Sequence, residues 1–123
     1  MADVRSLGPR LTETVVPNRP VTAYGDGMVA MVAVELEFTD RSETAPRMAL
    51  RSRHREILSQ LYAGGEVAFA GPFDDGSGSM VVFTATRERV DDVLAADPYY
   101  SAEGVTVASV RELTALFPTD RQR

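Results

Sequence analysis

The chain has 123 residues, a formal charge of −5, 44% hydrophobic and 25% charged residues, which is one ordinary globular domain and excludes disorder throughout. It contains no cysteine and a single histidine, so disulfides, thiolate nucleophiles and Cys-ligated metals are excluded and a zinc site lacks ligands. The acidic balance argues against nucleic acid as a partner, because phosphate binding needs a basic surface.

Residues 1–28 are rich in Pro, Gly, Thr and Arg, with Pro9, Pro17 and Pro20 breaking any helix. They read as an N-terminal arm, either an irregular leader or a strand-like segment around residues 11–16 that lies on a neighbouring subunit. The folded domain is expected over 29–117, with a short tail at 118–123. No stretch is long enough to span a membrane and no signal-peptide pattern opens the chain, so a cytoplasmic protein with no membrane partner is expected.

Residues 28–38 alternate, with Val32, Val34, Leu36 and Phe38 on one face and Ala33, Glu35 and Glu37 on the other, which predicts a half-buried strand. Capping residues at 40–44 and Pro46 predict the start of a long helix, ended by Gly64-Gly65. Arg47, Arg51, Arg53 and Arg55 on it read as a solvated helix face rather than a binding patch. A strand over 66–70, a connection from Gly71-Pro72 to Gly78 and a strand over 79–85 form a hairpin. Its Asp74-Asp75-Gly76-Ser77-Gly78 segment lacks the spacing of a calcium loop and reads as a turn. Thr86 can cap a second helix, which Asp97-Pro98 ends, and a last strand is expected over 105–113.

This β-α-β-β-α-β order predicts a ferredoxin-like α+β fold, a four-stranded antiparallel sheet with two helices on one face. The other face, carrying Glu35 and Glu37, is left to pack against a second copy, so a homodimer is expected.

Two ionisable residues fall where apolar ones belong. His54 completes the stripe of Leu50, Ile57, Leu58 and Leu61, and Asp97 follows Val90, Val93 and Leu94 on the next helix. Inward-facing imidazole and carboxylate groups are costly unless paired or used. A histidine beside a carboxylate is a proton-transfer device, the carboxylate fixing the tautomer while the other ring nitrogen works. The competing readings are a core histidine bonded to backbone, and a helix terminator whose carboxylate accepts backbone N–H groups.

Arg51, one turn before His54, can hold a carboxylate or enolate oxygen, or be a surface charge. Tyr99 or Tyr100 can donate to a developing oxyanion, with one ring expected in the core and the other exposed. Gly71 and Pro72 bring backbone close to a pocket, and Glu35 is an alternative base. No serine-nucleophile elbow, phosphate loop or dinucleotide fingerprint occurs, and no cofactor is expected.

Arg51-Ser52-Arg53-His54, Gly64-Gly65 followed by Val67-Ala68-Phe69-Ala70-Gly71-Pro72, and Ala95-Ala96-Asp97-Pro98-Tyr99 stand in an order that resembles the YCII-related proteins, over about residues 29–117. The resemblance implies a dimeric α+β barrel in which His54 and Asp97 line a pocket as an acid/base dyad. It also implies elimination or isomerisation chemistry on small cyclic, enol-type or aromatic molecules, as in the muconolactone-isomerase-like group. The long arm and the Tyr99-Tyr100 pair depart from the family's pattern. The expectation is thus a cofactor-independent lyase or isomerase acting on a small molecule, with a non-catalytic binding module as the alternative.

Overall fold

The structure, a computed structural model, describes residues 23–24 and 28–117. A two-residue strand, β1 (Ala23–Tyr24), pairs back onto the start of β2 (Met28–Phe38), whose alternating side chains Val32, Val34, Leu36 and Phe38 all enter the core. The sheet is completed by β3 (Val67–Pro72), β4 (Gly78–Phe83) and β5 (Val105–Ala115). β2 lies at its centre, flanked by β4 and β5, with β3 along the outer edge of β4 and every pairing antiparallel.

Two helices, α1 (Arg51–Ala63) and α2 (Arg87–Ala96), cover one face. They bury Leu61, Val90 and Val93 against Val34, Leu36, Val81 and Phe83. This is the expected ferredoxin-like α+β architecture of four antiparallel strands and two helices. Among the described residues no helix is long and apolar enough to cross a membrane.

The ends of α1 and α2 set the site. Thr86 Oγ1 accepts from the Arg89 N–H at 3.1 Å and caps α2 as expected. At the far end of α1, Glu66 N–H reaches the Leu61 carbonyl and Gly65 N–H the Tyr62 carbonyl, with Gly65 at φ 83°. That is a Schellman closure, and the left-handed residue it needs is the glycine.

Several expectations are corrected. The first helix begins as a 3-10 turn, Pro46–Leu50, with no side-chain cap, because Ser42 and Thr44 bond each other and Asp40 instead. The strand expected to stop at residue 70 runs through Gly71 and Pro72, which an edge strand tolerates because no ladder N–H is required of the proline. The strand-like segment expected around residues 11–16 lies outside the described residues.

Candidate functional site

α2 ends where Pro98 forbids the helical conformation at its predecessor, leaving Asp97 extended at ψ 111° with its carboxylate turned inward. One oxygen, Oδ1, accepts from the Tyr99 N–H at 3.0 Å and caps a second 3-10 turn, Pro98–Ser101. The other, Oδ2, lies 2.7 Å from His54 Nδ1 on α1. Both side chains are almost fully buried, at 7% and 2% exposure. An ionised carboxylate can only accept, so this contact places the proton on Nδ1 and leaves Nε2 as the imidazole's basic nitrogen. One carboxylate thus both accepts a backbone N–H at the end of the helix and contacts the histidine.

The rings around His54 are fixed as tightly. Tyr99 stacks on the imidazole with centroids 4.0 Å apart and planes 7° from parallel, and Tyr100 meets it edge-on at 5.2 Å. Both tyrosines are buried, at 3% and 4% exposure, against the expectation of one core and one exposed ring. The tight turn after Pro98 carries both rings inward. Their hydroxyls differ. Tyr99 accepts from Arg47 NH1 at 3.2 Å, whereas the buried Tyr100 hydroxyl has no hydrogen-bond partner among the described residues. Burial first, then the charge of Asp97, pushes the Tyr100 phenol above the usual tyrosine range.

His54 opens onto a cavity of about 730 Å³ between α1 and the β3–β4 hairpin. Arg51 and Arg55 of α1, Arg47 before it, and Tyr99 supply polar groups to its wall; Leu58, Phe69, Val67 and Phe38 supply much of the apolar surface. Gly71 and Pro72 line it from β3. Tyr100 stays behind the imidazole and does not line the cavity. Glu35, the alternative base, is not there either. Its neighbours Val34 and Leu36 face the helices, so alternation turns it to the other side of the sheet, opposite Met80 and Ser109.

Arg47 is the residue that sequence reasoning missed. Read as part of a solvated face, it is only 8% exposed, with its guanidinium carbon 3.9 Å from the centre of the Phe38 ring. The signal was present in the spacing: Arg47, Arg51 and Arg55 recur every four residues, while Arg53 falls off that row and pairs with Glu56 at 2.9 Å on the surface. Among the described residues no three His, Cys, Asp or Glu side chains gather as a metal site would require.

With this geometry in view, a family model for the YCII-related domain matches residues 30–114. No curated protein matches the chain. The match spans most of the chain, and it falls on the strands, helices and connections that build the cavity.

Proposed function

From the chain's membership of the YCII-related family, we propose that it is a cofactor-independent acid/base enzyme of the lyase or isomerase type, acting on a small oxygenated cyclic or aromatic molecule. The observation that carries this reading is the 2.7 Å contact between His54 Nδ1 and Asp97 Oδ2 in the wall of a cavity large enough for such a molecule.

In this reading Nε2 of His54 removes a proton from carbon or oxygen beside a carbonyl, and the C–H or O–H bonding pair moves into the conjugated system. Asp97 stabilises the imidazolium that forms and holds its orientation. Negative charge collects on the substrate oxygen, where the Tyr99 hydroxyl of the cavity wall donates in this reading. Isomerisation ends when the same imidazolium returns its proton to a different carbon. Elimination ends when a leaving group departs with its bonding electrons and the proton is lost to water.

The test is solvent deuterium incorporation into a panel of cyclic enones, lactones and phenols, followed by proton NMR. Exchange with the wild-type protein should fall by roughly 10²–10⁴ in His54→Ala. Binding without exchange anywhere in the panel would favour a non-catalytic binding module. The sheet face remote from the helices is the natural seat for a second copy, and sedimentation should give a homodimer.

A further inference from the structure

The cavity is electrostatically one-sided. Three arginines, Arg47, Arg51 and Arg55, line it and among the described residues no aspartate or glutamate does, in a chain whose overall charge is −5. None of the three forms an ion pair with a described residue, although Arg53, Arg87 and Arg89 each do. Asp40 is held below its usual range first by the Ser42 hydroxyl and only last by Arg47.

Arg47 is the most unusual of the three. It is more than nine-tenths buried, and its Nε has no hydrogen-bond partner among the described residues. A guanidinium removed from water and left with an unused donor is costly, and neither the Phe38 ring nor the Tyr99 hydroxyl supplies the negative charge that would offset it. Its one oxygen contact is also informative. NH1 donates to the Tyr99 hydroxyl, which leaves the phenolic proton available for donation. Arg47, Arg51, Arg55 and the Tyr99 hydroxyl thus bring donors to the wall, with His54 beside them.

We infer that the cavity takes an anionic ligand, a carboxylate on a compact apolar or aromatic body, with Arg47 and Arg51 binding the carboxylate and the body lying against Phe69, Leu58 and Val67. This inference rests on the reading above only in taking this cavity as the ligand site, and it does not require turnover. It deepens that reading by naming the substrate's charge. The carboxylate would sit on the arginine row while an acidic C–H or O–H of the same molecule meets Nε2. Arg51, on the same helix as His54 and three residues before it, sets the short span between the two points.

Matched pairs of acid and amide test the inference, benzoate against benzamide and cyclohexene-1-carboxylate against its carboxamide. Each is titrated into the 15N-labelled full chain, with shifts of the α1 amides as the readout. The acids should bind roughly tenfold or more tightly than their amides, and Arg47→Gln and Arg51→Gln should each erase about that preference. If Arg47→Gln does not fold, Arg51→Gln and the Arg51→Gln/Arg55→Gln double variant carry the same test from more exposed positions. His54→Ala should keep the preference. Acids that bind no better than their amides, or a preference untouched in folded arginine variants, would overturn the inference. An acid preference that persists with no deuterium exchange would leave it standing and sink the enzymatic reading instead.

Discussion

Arg89 of α2 reaches Glu66 through Nε at 2.9 Å and through NH2 at 3.2 Å, tying that helix to the turn between α1 and β3. Arg47 lies deeper, at 8% exposure, and has a phenol, a thioether sulfur and an aromatic face but no carboxylate. The two arginines have the same chemistry and opposite solutions. A guanidinium that serves the scaffold comes with its counter-ion, because desolvating an uncompensated cation is expensive. One that lines a cavity wall with no carboxylate paired to it among the described residues has its compensation left to a ligand. The contrast separates the half of the molecule that is internally complete from the half that is not.

The largest effect should come from breaking the buried pair at the cavity. Asp97→Ala strands the imidazole and the Tyr99 N–H together and should cost about 3 kcal/mol in urea unfolding. Arg89→Ala removes a bidentate but partly exposed pair and should cost about 1 kcal/mol, with no change in acid binding. Arg47→Met should cost less than Arg89→Ala, even though Arg47 is the more buried, and should abolish the acid preference. If it proves the more damaging of the two, Arg47 is scaffold and the contrast fails.

A smaller effect is expected at Tyr100. Its phenol is raised above the ordinary value of 10.0, so the folded state keeps its proton where the unfolded chain has lost it. The unfolded state then binds fewer protons, and stability should fall as pH rises above about 10. Tyr100→Phe should flatten that alkaline decline. At neutral pH it should leave stability unchanged or raise it by about 0.5 kcal/mol, because it deletes an unpartnered hydroxyl.

The fold and the inward placement of His54 and Asp97 were legible because both follow from local pattern. Strict alternation over 32–38 allows one buried face, and helical spacing points His54 and Asp97 inward from two elements that the fold packs on the same side. Their separation was not legible, since it depends on how the turn at Pro98 aims the carboxylate. Arg47 was hidden for a related reason. Its burial comes from the 3-10 turn before α1 and from Phe38 at the end of β2, a contact between residues that no helical periodicity connects. Composition also misled, because four arginines within residues 47–55 look uniformly solvated until one row of them is seen to face a cavity.

The 2.7 Å contact of Asp97 with Nδ1 holds His54 as the Nδ1–H tautomer and leaves Nε2 as its basic nitrogen. With one histidine in the chain, a long-range proton–nitrogen correlation spectrum of the imidazole under mildly alkaline conditions reads this without ambiguity. The predicted result is a protonated Nδ1 and a bare, pyridine-type Nε2 in the wild-type protein, shifting toward the Nε2–H form in Asp97→Asn. A wild-type spectrum already showing Nε2–H, and unchanged by Asp97→Asn, would contradict it.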